Sequence, residues 1–353
     1  MTAPWGTSQV EQKRVLLLGA GGRAKSVVLP ALHCMREQWS LAAVVTRTPR
    51  PISLFGGEME FVTVGSLREC DLGSVDVVIV ATTLESVPGI VKELAGQPVG
   101  HVTLLLDTPV LPRKSLATAQ LFPRFKDVLV SEDCIALPPY VVAKRLIDEG
   151  RIGRVKCIYS FHNDYKYHAL ASMKYLTDSR HIRSIRWSGV GAGVAEATIR
   201  MPTGPLVRML EPRDYEIGRF LVVGDRGFIA DYPLRGVGGF HIDYRLEQGR
   251  YRGLTVNGES CAEDDLDRML GDSLPGELQD RSLRTPLKIR GFMSILDGAT
   301  NPQSPFRYSP EAGLYDMAAI ACVERFSRFH DFGLGDGSVI TALLRMLSRS
   351  GRC

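Results

Sequence analysis

The sequence has no apolar run approaching the roughly 20 residues needed to cross a bilayer, which excludes an ordinary membrane-spanning helix. It also lacks a long basic block, and its formal net charge is only +4, from 43 basic and 39 acidic residues. A balance this mild gives no electrostatic footprint for nucleic acid. The seven cysteines include no C-x-x-C pair, so neither a zinc site nor a disulfide framework is indicated, and no metal ligands are assigned. Scattered thiols fit a reducing cytoplasm, the expected location. The opening "MTAPWGTSQVEQKR" has no apolar signal core, so no export signal is expected. There is no G-x-S-x-G, H-E-x-x-H or P-loop, which removes the commonest hydrolase, metalloprotease and nucleotide-triphosphatase signatures. Internal repeats and low-complexity segments are also absent. What remains is ordinary for a globular chain: 44% hydrophobic and 23% charged residues. Its 353 residues are enough for two domains with sizeable cores.

The pattern along the chain has two halves. "RVLLL", "LAAVVTRT", "VDVVIVATT", "HVTLLLDT" and "DVLVSED" read as buried strands, with "FVTVGS" a possible short one. Between them, the segment after the first glycines, "ESVPGIVKELA", "PRKSLATAQLFPRF" and "YVVAKRLIDEG" read as helices. Continuous apolar strands alternating with helices predict an α/β, doubly wound parallel sheet. Beyond Gly153 the chain changes character. A short helix, "YHALASMKYL", is followed by strand-like runs joined at "GDRG" and "EQGR", which predicts a mostly antiparallel sheet. Residues 259–300 read as polar and helical, and two amphipathic helices close the chain. The expected division is 1–152 and 153–353, with the last helix, about 335–350, able to pack back on the first domain.

"VLLLGAGGRA" contains Gly19-x-Gly21-x-x-Ala24 between a strand and a helix, the context of a dinucleotide fingerprint. Gly19 permits the tight turn, Gly21 removes the side chain that would block a pyrophosphate, and Ala24 lets helix and strand approach closely. The N–H groups of the helix start, around Gly22 and Arg23, offer an anion site. The second strand ends in Thr46-Arg47-Thr48 with no acid for the ribose hydroxyls of NAD. A guanidinium there can pair with a 2′-phosphate, which favours NADP, with NAD as the other possibility.

Taken together, the glycine loop, "VDVVIVATT", the acid-x-Pro strand end "DTP", "AKRLIDEGRIGRVKCIYS", "LVVGDRGFIA" and the closing "GDGSVITALLRMLSRSG" resemble the glucose–fructose oxidoreductase/inositol dehydrogenase (Gfo/Idh/MocA) family. The resemblance implies an N-terminal Rossmann domain and a C-terminal α+β domain with a large open antiparallel sheet, often an oligomer interface. A homodimer or homotetramer is therefore expected. It also implies cofactor contacts from Ala81, Thr82, Thr83 and Asp107, beside Gly19, Gly21, Gly22, Arg23, Ala24, Thr46 and Arg47. Asp164-x-x-x-His168 stands where the family carries an Asp-x-x-x-His, whose histidine faces the substrate. Residues i and i+4 share one helix face, so the carboxylate can orient the imidazole or raise its pKa for proton donation. His162, Tyr140, Tyr165 and Tyr167 cluster near it in sequence, and a tyrosine is an alternative acid.

Three positions depart from the family pattern. Thr83 replaces a proline, Val87 a histidine, and Thr108 the lysine of the acid-Lys-Pro motif. Threonine offers one hydrogen bond but no charge and no acid near neutral pH. The expectation is therefore an NAD(P)H-dependent biosynthetic reductase delivering hydride to a C=N, C=C or C=O bond of a small molecule, with His168, Asp164 and Thr108 as candidate catalytic residues. The alternatives are a non-redox relative (a cofactor-binding regulator, partner subunit or cofactor-independent enzyme), or redox-neutral chemistry on tightly held NAD.

Overall fold

The computed structural model describes residues 12–330, apart from 55, 56, 58, 163–165, 192–193, 213, 215–217, 235–237, 263 and 282–283. The first half builds a six-stranded sheet from β1 (Lys13–Leu18), β2 (Trp39–Val45), β5 (Thr63–Val64), β6 (Val77–Val80), β7 (Thr103–Asp107) and β8 (Asp127–Ser131). Between β2 and β5 lies a two-stranded hairpin of β3 (Ile52–Leu54) and β4 (Met59–Phe61). All neighbours in the six-stranded sheet run parallel, in the order β5-β2-β1-β6-β7-β8. Helices cover both faces, so the central strands are apolar throughout rather than alternating. Leu16, Leu17, Val77, Leu104 and Leu105 are all fully buried. The order in which strands are added reverses between β1 and β6, and the crevice of such a sheet opens outside the carboxyl ends of those strands.

The helix after β1 starts with a wide π-type turn, Ala24–Val28, and continues as α1 (Leu29–Cys34). α2 (Val87–Ala95) follows β6, with Pro88 in its first turn, where a missing N–H costs nothing. α3 (Pro138–Asp148) follows β8, and the chain leaves it through Gly150 at φ +67°. One expected helix does not form. Residues 113–124 are a series of tight 3₁₀ turns, interrupted at Ser115 (φ −123°) and carrying Pro123. A proline removes an amide donor and clashes with the preceding turn, so an α-helix is not sustained there.

The second sheet has ten strands in the order β17-β16-β15-β14-β13-β9-β12-β11-β10-β18. They are β9 (Val155–Phe161), β10 (Ser184–Gly191), β11 (Val194–Arg200), β12 (Leu206–Glu211), β13 (Arg219–Gly224), β14 (Phe228–Ala230), β15 (Gly239–Glu247), β16 (Arg250–Val256), β17 (Glu259–Ser260) and β18 (Arg328–His330). Pairing is antiparallel except β9 with β12 and β14 with β15. The β15–β16 hairpin turns at Gln248 and Gly249, both at positive φ, as a tight right-twisted hairpin requires. α4 (Lys166–Leu176) follows β9, and α5 (Asp265–Ser273), α6 (Gly276–Arg281), α7 (Arg284–Thr300) and α8 (Pro310–Phe326) follow the sheet.

The closing helix expected near 335–350 lies outside the described residues. Among those described, α7 reaches back to the first sheet, and α8 meets it at β8. α7 packs on α1, on the turn before it and on residues 133–136, and it is buried along most of its length. The contact depends on Gly291, where a Cβ would come within 3.1 Å of the Asp133 carbonyl. Residues 284–300 are thus helical as expected, but an inner helix rather than a polar one. No helix among the described residues is long and apolar enough to cross a membrane, and no disulfide joins the described cysteines.

Candidate active site

A cavity of about 850 Å³ opens over the carboxyl ends of β1, β2, β6 and β7. Gly19 closes the turn after β1 at φ +110°, and its N–H donates to the Val45 carbonyl (2.9 Å). A Cβ on Gly19 would stand 2.3 Å from the Ala81 carbonyl oxygen, so two strand ends meet there at a distance only glycine allows. By contrast, a Cβ on Gly21 or Gly22 would meet nothing within 4 Å. The loop is therefore tight towards the sheet and open towards the cavity. Gly19, Gly21, Gly22, Arg23, Thr46, Arg47, Ala81, Thr82, Thr83 and Asp107 all line the cavity. Ala24 does not; it is fully buried under the helix, as its packing role requires.

At the end of β2 the lining is Thr46, Arg47, Thr48 and Arg50. The lining carboxylates are Glu93 on α2 and Asp107 after β7, neither of them at that end. Arg50 was not singled out from the sequence. Its backbone is pinned to β5, where the Arg50 N–H donates to Thr63 Oγ1 (2.7 Å) and Thr63 Oγ1 donates to the Arg50 carbonyl (2.8 Å). The two arginines therefore share one rim of the cavity.

Arg23 lines the cavity, and its side chain has ion-pair partners within the protein. Its guanidinium faces acids: Nη1 donates to Asp133 Oδ2 (2.7 Å), and Nε lies 3.4 Å from Asp107 Oδ1. It also stands over the Phe292 ring of α7, 5.7 Å from the centroid. Burial opposes its charge, but Asp133 and Asp107 outweigh burial and raise its pKa. Burial raises the Asp107 carboxyl above its ordinary range, with Arg23 working against the rise. Asp133 is held below the ordinary range because Arg23 and His168 together overcome its burial. Thr108 is half-buried beside this cluster, and its N–H donates to Asp107; it is not among the residues lining the cavity. Thr83 is exposed and shares a hydrogen bond with Ser86 (2.9 Å), while Val87 is buried in the first turn of α2.

His168 stands on the first turns of α4, with 17% of its side chain exposed. Asp164, its expected partner, lies outside the described residues, as does Tyr165. Among the described residues, a carboxylate from another segment meets His168. Glu132, directly after β8, places Oε1 and Oε2 at 2.7 and 2.9 Å from His168 Nδ1. Burial disfavours the imidazolium, but Glu132, and then Asp133, outweigh it, so the His168 pKa is raised. Glu132 Oε1 also accepts from the Cys134 N–H (3.3 Å). Glu132, Cys134 and His168 bring oxygen, sulfur and nitrogen donors within 4.8 Å of one another, a set that sequence spacing does not reveal. Within it, the Glu132–His168 contact has the length of a charge-assisted hydrogen bond, not of two ligands separated by an ion.

The other candidates separate by packing. Tyr140 is fully buried and stacked on Phe220 (4.9 Å), a core residue. Tyr167 lies against the His168 ring, 4.6 Å between centroids. His162 meets the Pro212 carbonyl through Nδ1 (2.5 Å), away from the cavity. One buried lysine was missed: Lys174 of α4 pairs with Asp316 of α8 (2.6 Å), and Tyr308 donates to the same carboxylate. Their joint burial gives this trio no opening to the cavity, so it ties α4 to α8.

No protein-family model matches the sequence, and no curated protein matches it. Solved structures do. An oxidoreductase from Thermotoga maritima is 15% identical, with a TM-score of 0.59 over 94% of this chain and 100% of its own. A myo-inositol dehydrogenase from Corynebacterium glutamicum is 11% identical, with a TM-score of 0.58 over 90% of this chain and 98% of its own. The WlbA dehydrogenase of Bordetella pertussis, solved with NADH and UDP-GlcNAcA, is 15% identical, with a TM-score of 0.58 over 91% of this chain and 99% of its own. With its parallel sheet and glycine-loop cavity joined to a large mixed sheet, the chain has the fold of the Gfo/Idh/MocA-type oxidoreductases.

Proposed function

We propose that this chain is a nicotinamide-dependent oxidoreductase that reduces a small molecule and prefers NADPH. The observation that carries the reading is the cavity at the switch point of the parallel sheet, tight at Gly19 and open at Gly21. A dinucleotide fits that opening, because the backbone can approach a pyrophosphate there without a side chain between them. Gly21, Gly22 and the amides that follow would hold the pyrophosphate, and Thr46, Arg47 and Arg50 the adenosine ribose. The neighbouring WlbA dehydrogenase, solved with NADH, supports a nicotinamide cofactor. The preference for a 2′-phosphate rests on the two arginines at the end of β2 and on the absence of an acid there.

When bound, the nicotinamide supplies a hydride. The chain must then supply a proton and a place for the substrate. His168 suits the first of these needs, being one-sixth exposed, held by a buried carboxylate, and pushed towards its protonated form near neutral pH. Arg23, Asp107 and Asp133, one cation against two carboxyl groups, form an ion-pair cluster that shapes the cavity end next to it. With Thr108 in the lysine's place, the cation at the end of β7 is Arg23, already paired with Asp107 and Asp133 rather than with a developing alkoxide. That favours an imine or a conjugated double bond over a simple ketone, because an imine nitrogen is basic enough to need less help. Such reductions are typical of biosynthetic enzymes.

The test is a set of NADPH-oxidation assays over imines, enones and ketones, with cofactor binding followed by fluorescence. Binding with turnover on one class supports the reading; neither binding nor turnover sinks it. The cofactor preference has its own test. Arg47→Ser is expected to weaken NADPH roughly 10- to 100-fold, the worth of a charge-assisted contact of about 1.5–3 kcal/mol, and to leave NADH affinity unchanged. Equal weakening of both cofactors would place Arg47 away from the 2′-phosphate.

A further inference from the structure

We infer that Glu132 is the positioning residue of the proton donor: it fixes the His168 imidazole through Nδ1 and leaves Nε2 as the ring nitrogen that gives its proton to the substrate. The inference rests on the reading of His168 as the acid and assigns its partner. Three observations carry it. Both Glu132 oxygens lie within 2.9 Å of Nδ1, closer than a loose surface pair would sit. The Glu132 side chain is 2% exposed against 17% for His168, so the carboxylate is the fixed member and the ring the accessible one. The carboxylate is itself anchored, since Oε1 accepts the Cys134 N–H and the Glu132 N–H donates to the Val130 carbonyl (2.9 Å).

The two residues also belong to different sheets. Glu132 leaves the carboxyl end of β8, and His168 starts the helix that follows β9. The pair therefore forms only when α4 is seated against residues 133–136, as it is here. This places the donor beside the ion-pair cluster at the end of β7, and so beside the cofactor cavity.

The charges around His168 have known sources. Glu132, Asp133 and Cys134 come from the segment after β8, Asp107 from the end of β7, Arg23 from the glycine loop, and Tyr167 from α4 itself. From the α8 side, Tyr308 and Asp316 face the same Glu132 charge, which helps to raise the pKa of each. The carboxylates favour the imidazolium, and Arg23 opposes it. A donor is active only while protonated, so wild-type turnover should hold at low pH and fall as pH rises through the raised His168 pKa. Replacing Glu132 by glutamine keeps a hydrogen-bond acceptor but removes the charge. The falling limb should then move to lower pH, with a smaller loss of turnover on the acid side than on the alkaline side. Glu132→Ala removes the acceptor as well and should lower turnover on both sides.

The experiment reads the kcat profile against pH and, separately, the NMR titration of the His168 ring, identified by its loss in His168→Ala. NADPH affinity and Tm serve as controls for folding. In Glu132→Gln the His168 titration and the falling limb should move to lower pH together. The loss should be roughly tenfold or more at pH 8, against a smaller loss at pH 6, within the 10²–10⁴ that a general acid contributes. Glu132→Asp, which keeps the charge, should restore most of the profile. An unmoved NMR titration overturns the pairing whatever the activity does. A shifted titration with an unmoved kcat profile instead overturns His168 as the acid, and the positioning role with it. Stoichiometric zinc in the purified protein, lost in Cys134→Ser, also overturns the inference, because Nδ1 would then face a metal.

Discussion

His168→Ala is expected to reduce turnover by roughly 10²–10⁴-fold, the range a positioned general acid supplies, with NADPH affinity unchanged. Affinity should hold because His168 is not among the residues lining the dinucleotide cavity. The loss should appear in kcat and kcat/KM alike, since a proton given in the transition state is an interaction made only there. The variant has a second effect that must be separated from the first. It leaves Glu132, a buried carboxylate 1% exposed, without its imidazole and next to Asp133. An abandoned buried acceptor costs about 1–3 kcal/mol, so a lower Tm is expected too. His168→Asn, which returns an N–H to Glu132, should recover part of that stability but none of the turnover. Single-turnover kinetics well below both melting temperatures provide the measurement. Turnover close to wild type in His168→Ala would move the donor elsewhere, with Tyr167 the nearest alternative.

The second large effect separates two glycines two residues apart. Gly19→Ala should destabilise the protein, whereas Gly21→Val should leave stability unchanged and weaken cofactor binding. At Gly19 the backbone sits at φ +110°, and a Cβ would overlap the Ala81 carbonyl at 2.3 Å. The strained backbone alone is worth about 1–3 kcal/mol, and parting β1 from β6 adds to it. In a chain of this size each kcal/mol lowers Tm by about 2–4 °C. At Gly21 a side chain meets no protein atom within 4 Å, so the fold has no reason to change. A valine there fills the opening to the cavity instead, and overpacking against a pyrophosphate should weaken NADPH by roughly 10- to 100-fold. Calorimetry and a binding titration on both variants decide the matter. If Gly21→Val binds NADPH normally, the cavity is not the dinucleotide site.

Much of the first sheet is legible in the amino-acid sequence. β1, β6, β7 and β8 show as apolar runs because both faces of each strand are covered, so no polar alternation blurs them. The glycine loop is legible because its demands are local: a positive φ at Gly19, an open approach at Gly21 and a tight contact at Ala24 fall within six residues. The ion pairs of Arg23, in the same loop, are not legible there, because its counter-charges are Asp107 and Asp133, which folding brings from two other strand ends. Residues 113–124 mislead. Their spacing suits a helix, but Pro112, Pro123 and the break at Ser115 do not.

The sequence by itself determined the order of strands and helices, the nucleotide loop and its bare second-strand end, because each of these follows from periodicity and backbone freedom over a few neighbouring residues. Only the tertiary structure brought a second carboxylate to His168: Glu132 is 36 residues away in the chain and meets the ring within hydrogen-bond distance. The tertiary structure likewise decided that α7, and not a residue run near the glycine loop, packs Phe292 against Arg23. The physical reason is that a buried charge is stable only beside an opposite charge or a hydrogen-bond partner, and which partner that is depends on how the two sheets are brought together.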